Sequence, residues 1–366
     1  MGKRLYKQVI RELNENGFVK TLTVISQNEN IGKKIIVNKN LNDSINDYDV
    51  DEIKYDKFLK DSIKDVDLKN GTHTCKIGNE EIFVEDIVGK PKLIICGGGH
   101  IALPLSKMGK MLEFHVTVID NRIEFASKER FPHVDKIICM DFDEAIEEAK
   151  VNGNTYIVIV TRGHKDDRKC LEKVIRTDHK YIGMIGSRGK VASVFNAMIK
   201  EGYREEELEK VYSPIGLKIG AQTPEEIAVS IFAEIIEVKN KKMACNIEDS
   251  IIAKLDSSSE NMVLATIVEK SGSTPRGVGA KMLIIEDGSV IGTVGGGSVE
   301  NAVYEKAIEL IKIQKCHIET YDLSNSKASK LGMACGGSVK VLFEYISSNS
   351  QSTDSGQWKS WEKLNV

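Results

Sequence analysis

The sequence predicts an α/β protein with a parallel β-sheet domain in the middle of the chain and a separate α+β domain after it. Two observations lead to this prediction. Short apolar runs alternate with helical patterns up to about Lys242, and beyond that point hairpin-like strands take over. Apolar strands that alternate with helices are typical of a parallel sheet covered on both faces. The 366 residues suffice for two or three domains.

The predicted parallel sheet has five strands, each a short apolar or β-branched run. The fourth, YIVIV, is apolar throughout, as expected for a strand buried on both faces. A last helix begins at Thr223, which offers an N-cap, with a proline and two acids directly after it. The strands are predicted at 92–96, 114–119, 136–139, 156–160 and 181–185, and the helices between them at 101–111, 143–150, 166–176 and 188–200.

The segment after Lys242 is predicted as an α+β domain with a β-rich core. Asp287-Gly288 is a hairpin turn signal between two of its strands. The strands are predicted at 262–268, 281–285, 289–294 and 338–345, and the helix at 298–314.

The first 88 residues resemble this second domain and are interpreted as a degenerate copy of it. Residues 18–24 match 262–268 in pattern, 32–37 match 279–284, and 72–86 parallel 332–345, although the glycine-rich loops are missing. The alternative is that two unrelated small β units look alike. We therefore predict domains at 1–88, 89–242 and 243–346, and a flexible tail at 347–366.

The overall composition excludes several classes of function. Net charge is −3, from 51 basic and 54 acidic residues, so no basic surplus indicates nucleic-acid binding. No run approaches the roughly 18 apolar residues of a membrane span, and the basic N-terminus reads as an amphipathic helix, not a signal peptide. Seven widely spaced cysteines without a CxxC pair argue against a disulfide framework and predict a reducing cytoplasm.

A glycine loop follows the first strand of the predicted sheet. Gly97, Gly99 and Ala102 match G-x-G-x-x-A, and Asp120 closes the second strand where a dinucleotide fold places its ribose-binding acid. This pattern predicts a Rossmann-like domain whose helix N-terminus binds a phosphate. The bound ligand would be NAD(P) or another phosphorylated molecule; alternatively the glycines only allow tight packing. His100 either faces the cleft or lies on the surface.

Four polar loops are predicted at the carboxyl ends of the strands, where open parallel sheets bind ligands. Three of them combine arginine or lysine with glycine, as an anionic ligand requires. We therefore predict an anion-binding cleft from the four loops together, although each loop alone is more typical of a solvated turn. The loops are Asp120-Asn121-Arg122, 161–166 with Arg162 and His164, 186–190 with Ser187 and Arg188, and 213–220.

The last domain contains three further glycine-rich loops, at 271–279, 292–300 and 332–338. Such loops usually allow a ligand or another backbone to come close. In the second loop, glycines precede a predicted helix and form a further anion site, and in the first an arginine offers a bidentate phosphate contact. The candidate residues are Ser273, Arg276, Gly295, Gly296 and Gly297.

Cys335 lies between small residues in the third loop. An accessible thiolate at this position would bind a soft metal or carry sulfur. The alternative is a small buried residue in a tight turn.

These motifs resemble the xanthine dehydrogenase accessory factor family (XdhC/CoxI). The resemblance extends from about residue 90 to residue 345. The set of motifs is specific, because a generic dehydrogenase would not contain it. The motifs are GGGHIA (97–102), VIDNR (118–122), ERFP (129–132), TRGHKDD (161–167), GMIGSRGK (183–190), SPIGLKIGAQTPEEIA (213–228), GSTPRGVGAKM (272–282), GTVGGGSVE (292–300) and GMACGG (332–337).

The resemblance implies a Rossmann-like domain coupled to a CoxI-type α+β domain, here with the complete CoxI-type copy last instead of first. It also implies that the chain binds molybdenum cofactor (molybdopterin), protects it during sulfuration and inserts it into a xanthine dehydrogenase-like molybdoenzyme. A cysteine desulfurase is a further candidate partner. By matching position, Cys335 is the candidate contact to molybdenum or its sulfur, and the glycine loops would hold the pterin phosphate.

We therefore expect a cofactor chaperone more than a catalyst, because no nucleophile–base–orienter set stands out. One alternative is an NAD(P)-dependent oxidoreductase that uses Asp120 and the first glycine loop, with His164 as its acid–base group. Another is a binding module that senses a nucleotide. A homodimer is expected, since it would bring the degenerate and complete small domains face to face.

Overall fold

The computed structural model describes residues 3–39, 48–50, 66, 68, 71–241, 244–322 and 337–348. Three β-sheets organise these residues, one for each predicted domain. The predictions for Cys335, for residues 332–336 of the third glycine loop and for the tail from residue 349 onward lie outside the described residues. No helix within the described ranges is both long and apolar enough to cross a membrane.

The N-terminal unit is one helix packed on an antiparallel sheet. Its elements are α1 (Lys3–Asn16), β1 (Phe18–Val24), β2 (Lys34–Lys39), β3 (Tyr48–Val50), β4 (His73–Ile77) and β5 (Glu80–Val88). β1 is the centre of this sheet and pairs with β2 on one side and β5 on the other, and β3 and β4 extend the two sides. Leu22, Val24 and Val84 point into the core of this unit.

The central unit alternates strands and helices as predicted. Its elements are β6 (Lys92–Cys96), α2 (Ala102–Met111), β7 (His115–Asp120), β8 (Lys136–Cys139), α3 (Phe142–Ala149), β9 (Thr155–Ile159), α4 (His164–Val174), β10 (Tyr181–Met184), α5 (Arg188–Lys200), α6 (Glu205–Leu208) and α7 (Pro224–Asn240). Thr223 caps α7 by accepting a hydrogen bond from the backbone N–H of Glu226.

All pairings in the central sheet are parallel, and the strand order is β8-β7-β6-β9-β10. Numbered within this unit the order is 3-2-1-4-5, which is that of the first five strands of a Rossmann fold, so the predicted fold class is confirmed. Helices α3, α4 and α5 cover one face with an apolar core, and α2 and α7 cover the other. The strands are consequently buried on both faces, which explains why their sequences are apolar without alternation.

The C-terminal unit is a second antiparallel sheet with two helices. After the short strand β11 (Cys245–Asn246), its elements are α8 (Asp249–Ser257), β12 (Met262–Ser271), β13 (Lys281–Ile285), β14 (Val290–Gly292), α9 (Gly297–Ile313), β15 (His317–Asp322) and β16 (Ser338–Ile346). β12 is the central strand, between β13 and β16. The turn at Asp287-Gly288 joins β13 to β14, as its sequence predicts.

Two details of the small units differ from the sequence-based predictions. β11 follows the predicted boundary at residue 243 but pairs with β5 of the N-terminal sheet. A strand of two residues is too short for any periodicity to predict. β15 was not predicted; it pairs with β16 as β4 pairs with β5. His73 lies opposite Val84 as His317 lies opposite Phe343, so residues 73–77 do not correspond to the segment before β16.

Candidate functional site

The polar loops predicted at the carboxyl ends of the central strands do lie there. The loops after β9 and β10 and the segment around Gly216 enclose two cavities of about 220 and 1070 Å³. Both cavities are lined by Ile185 and Gly186, so they adjoin. We call the two together the carboxyl-edge cleft. Its position matches the usual ligand site of open parallel sheets.

The smaller cavity lies between the first turns of α4 and α5. The helices start after Gly163 and Ser187, and neither N-cap residue caps its helix with a side chain. Backbone N–H groups and the positive ends of two helix dipoles therefore converge on this cavity, as in known phosphate sites. Arg162, His164 and Lys190 line it from exposed positions.

Asp167 is a buried carboxyl group in the wall of the smaller cavity, and it is not among the site residues predicted from the sequence. Thr161 donates two hydrogen bonds to its Oδ1, from Oγ1 at 2.6 Å and from the backbone N–H at 3.2 Å. Burial is the main reason that the pKa of Asp167 is raised to about 6. The only sequence signal was the acid pair Asp166-Asp167 in the first turn of a helix, which normally indicates favourable dipole interactions alone.

The larger cavity adds two more exposed cations, Arg188 and Lys218. Its floor contains the buried Glu234, which accepts hydrogen bonds from the Tyr181 hydroxyl at 2.6 Å and from the backbone N–H of Gly216 at 3.0 Å. Glu234 is therefore engaged in holding the loop around Gly216. The exposed cations, in contrast, are available to an anionic ligand.

The first glycine loop is packed against its own chain. A Cβ on Gly97 would lie 2.5 Å from the carbonyl oxygen of Val160, and a Cβ on Gly98 would lie 2.0 Å from that of Phe125. Arg130 donates hydrogen bonds to the carbonyl oxygens of Gly98 and Gly99. Close backbone packing thus explains two of the three glycines, which was the alternative to phosphate binding.

Asp120 is bound by neighbouring groups within the protein. Arg122 donates from Nε and Nη2 to the two carboxylate oxygens at 2.8 and 2.9 Å, and the N–H of Gly98 donates at 2.8 Å. Burial opposes ionisation of Asp120, but these hydrogen bonds outweigh it and lower the pKa. The carboxylate is only 1% exposed, so it does not present free oxygens to a ribose. His100 is exposed at the end of the loop, where Gly99 borders open space.

The described parts of the C-terminal glycine loops come together. A Cβ on Gly295 would contact Pro275 at 3.3 Å, and a Cβ on Gly337 would lie 2.5 and 2.6 Å from the carbonyl oxygens of Ser271 and Ser273. Gly296 caps the 17-residue helix α9 with a positive φ and no side chain.

The other C-terminal candidates are exposed around this junction: Ser273, Arg276 and Gly297. Among the described residues, no group of three or more His, Cys, Asp or Glu side chains is placed to bind a metal.

The base of the first C-terminal loop lies away from the carboxyl-edge cleft. A Cβ on Gly279, at the base of the first loop, would lie 1.8 Å from the Sγ of Cys245, and Cys245 is in register with Ile87 near the end of β5. The chain continues from the end of β5 to the first residue of β6, whereas Gly97 follows the last residue of β6. The five residues of β6 span about 16 Å. The base of that loop and the cleft consequently lie at opposite ends of the central sheet.

Comparison with protein families gives two matches within this chain. Residues 93–235 match the family model described as the XdhC Rossmann domain. Residues 255–322 match the model described as the XdhC and CoxI family. The two matched segments together include more than half of the chain and fall on the central and C-terminal units.

Two curated proteins and one solved structure are similar to parts of the chain. "Uncharacterized protein YqeB" of Escherichia coli (strain K12) is 30% identical over 164 residues, which are 44% of this chain and 30% of that protein. A protein of Bacillus subtilis (strain 168) described as a probable xanthine dehydrogenase subunit is 30% identical over 160 residues, 44% of this chain and 46% of that protein.

The chain thus spans less than half the length of either curated relative. A crystal structure described as a xanthine dehydrogenase from Bacillus halodurans aligns with a TM-score of 0.48 at 24% identity, covering 64% of this chain and 66% of that one.

Proposed function

Because this chain belongs to the XdhC and CoxI family, we propose that it is an accessory factor in the maturation of a xanthine dehydrogenase-like molybdenum hydroxylase. In this proposal the chain binds the molybdenum cofactor as cargo, protects it and inserts it into the client enzyme. A relative whose name describes a probable xanthine dehydrogenase subunit supports the choice of client. A cysteine desulfurase that supplies sulfur to the cargo belongs to the same proposal.

The observation that carries the proposal is the charge of the carboxyl-edge cleft. Four exposed cations line it, together with two helix N-termini whose N-cap residues make no side-chain capping hydrogen bond. Such a surface fits the phosphate of a pterin cofactor, because charge-assisted hydrogen bonds and helix dipoles both favour a dianion. The cations are Arg162, Arg188, Lys190 and Lys218.

In the proposal the C-terminal loops make a second contact with the cargo. Ser273 and Arg276 would hold an anionic group, with the glycines at 295–297 giving close backbone approach. Cys335 would supply the thiolate for molybdenum or its sulfur. Since the base of the first of these loops lies away from the cleft, we propose that the cargo contacts the two regions in successive steps, or from two chains of a homodimer.

NAD(P) binding and hydride transfer gain no support from the first glycine loop. Both carboxylate oxygens of Asp120 are engaged by Arg122 and Gly98, and Phe125 lies against the loop. Titration of the purified chain with NADH decides this alternative, because fluorescence enhancement at micromolar cofactor would restore it.

The proposal is tested by measuring cargo on the purified chain after co-expression with the cofactor biosynthesis enzymes. Molybdenum is quantified by mass spectrometry and pterin by fluorescence. The variant that combines Arg162→Ala and Lys190→Ala should lose at least about tenfold in bound pterin, because it loses two charge-assisted contacts. Lys200→Ala is the matched control, since it removes an exposed lysine from the far end of the same helix as Lys190.

Three outcomes can be distinguished. Loss in the cleft variant but not in the control supports the cleft as the cargo site. Loss only in Cys335→Ala moves the site to the C-terminal unit. Absence of molybdenum and pterin from the native chain contradicts the cargo-carrier function itself.

A further inference from the structure

The two small units have the same topology. In the N-terminal sheet the strand order is β3-β2-β1-β5-β4, and in the C-terminal sheet it is β14-β13-β12-β16-β15. Every one of these pairings is antiparallel. A helix precedes the central strand in each unit, α1 before β1 and α8 before β12. The two units therefore correspond strand by strand.

The strand registers identify which residues correspond. Thr23 lies opposite Lys34, and Thr266 lies opposite Lys281. On the other side of the central strands, Thr21 lies opposite Glu85, and Leu264 lies opposite Glu344. With Thr23 aligned to Thr266, Thr21 falls on Leu264. Lys34 thus corresponds to Lys281, and Glu85 corresponds to Glu344.

These four residues form two buried ion pairs that cross between the units. Lys34 Nζ donates to Glu344 Oε2 at 2.9 Å, and Lys281 Nζ donates to Glu85 Oε1 at 2.5 Å. All four side chains are at most 3% exposed. Each unit supplies one lysine and one glutamate, and each lysine pairs with the glutamate of the other unit. Such reciprocity is the property of a two-fold, isologous interface.

The apolar part of the contact shows the same reciprocity. One cluster between the units contains Ile25, Ile31 and Phe83 from the N-terminal unit. Their counterparts by register and loop position, Val268, Val278 and Leu342, belong to the same cluster. Both units therefore use one and the same face.

We propose that the N-terminal unit occupies, within one chain, the partner position of a two-fold dimer of CoxI-type units. The face on β12, β13 and β16 then fits a second copy of the same unit, because that copy would present Glu344 to Lys281 and Lys281 to Glu344. The expectation of a homodimer rested on the idea that two chains are needed to bring the small units face to face. The contact between the small units does not require a second chain. It is already satisfied internally.

Charge reversal within one unit tests this arrangement on the full chain. The first variant carries Lys34→Glu with Glu85→Lys, the second carries Lys281→Glu with Glu344→Lys, and the third combines all four changes. Either double variant places like charges at both crossed pairs, so its thermal midpoint should fall by roughly 6 °C or more. The quadruple variant restores opposite charges at both pairs and should regain most of that loss.

If the face is self-complementary, the double variants should also differ from the native chain in their oligomeric mass in solution. In the first variant the C-terminal face no longer matches its own N-terminal unit but still matches the same face of another chain. The soluble fraction should therefore form dimers beyond the native state, as measured by light scattering, whereas the quadruple variant should keep the native mass.

The control reverses an ion pair inside one unit, Lys254→Glu with Glu260→Lys, whose native Nζ–Oε2 distance is 2.8 Å. It should leave the midpoint and the mass unchanged. Double variants with native midpoint and mass would show that the lysines and glutamates do not pair across the units. A quadruple variant no more stable than the doubles would overturn the two-fold arrangement. Recovery in the quadruple supports the proposal even when the doubles unfold.

Discussion

Asp167 shows how a single buried carboxyl group can determine the properties of the cleft. Its only hydrogen-bond donor among the described residues is Thr161, and only 8% of the residue is exposed. An uncharged Asp167 does not repel an anion in the cleft, whereas an ionised one does. With a pKa of about 6, the group is mostly ionised at neutral pH. This residue therefore sets a pH dependence on both stability and anion binding.

Asp167→Asn should remove a specific pH dependence of stability. Because the folded pKa lies above the usual value, the folded protein holds a proton that the unfolded chain has released between about pH 4 and pH 6. Native stability should consequently fall across that window, by on the order of 2 kcal/mol relative to the Asn variant. Urea unfolding of both proteins from pH 4 to pH 7.5 measures this difference. Curves that stay parallel would contradict it.

The same variant should bind inorganic phosphate more tightly at pH 7.5, because it removes a negative charge from the cavity wall. The gain should disappear at pH 5, where native Asp167 is itself protonated. Calorimetric titration at the two pH values measures the ratio of the dissociation constants. Asp166→Asn is a suitable comparison, since Asp166 is the more exposed neighbour in the same helical turn.

Arg122→Ala should destabilise the central unit by about 2–4 kcal/mol, because it removes both guanidinium donors and leaves the carboxylate of Asp120 buried with only two backbone N–H donors, those of Gly98 and of position 122. Asp120→Asn with Arg122→Ala should recover part of this loss, since the buried group is then neutral. Denaturant unfolding of the single and double variants checks the prediction. Equal stability of Arg122→Ala and the native chain would mean that Asp120 is solvated after all.

At the scale of the elements, the glycine loop before α2 contains one glycine that close packing requires and one that it does not. Gly98→Ala would place a methyl group 2.0 Å from the backbone carbonyl oxygen of Phe125, whereas the methyl group of Gly99→Ala would point into open space. We expect the first change to cost at least about 3 kcal/mol and the second less than about 1 kcal/mol. Thermal unfolding compares the two, and an equal effect would refute the packing explanation of the loop.

Most elements of the central unit follow from local sequence, and their ends agree within one or two residues. The capping box at Thr223 and the apolar run YIVIV are signals that do not depend on distant contacts. β15 was missed because its sequence, HIETYD, alternates weakly and is polar on its exposed side. It forms a strand only because the edge of β16 provides a partner.

At the scale of the whole molecule, the buried ion pairs between the small units should show strong coupling. Glu85→Leu alone should cost about 3–5 kcal/mol, because it leaves the Lys281 ammonium buried without its partner. Glu85→Leu with Lys281→Met should cost much less, since an apolar pair of similar volume replaces the ions. Unfolding of the single and double variants in denaturant gives the coupling energy. Additive effects would mean that the pair contributes nothing.

The sequence by itself determined the three units, the strand and helix types of the central sheet, the family and the cationic loops at the carboxyl edge. Those features depend on residue periodicity, caps and glycine positions, which act within a few residues of the chain. The tertiary structure decided that Arg122 and Gly98 engage Asp120, that Asp167 is buried in the cleft wall, and that the lysines and glutamates of the small units cross. Each of these depends on which groups are buried together. Lys34 and Glu344 are 310 residues apart in the chain, and no local pattern encodes such a contact.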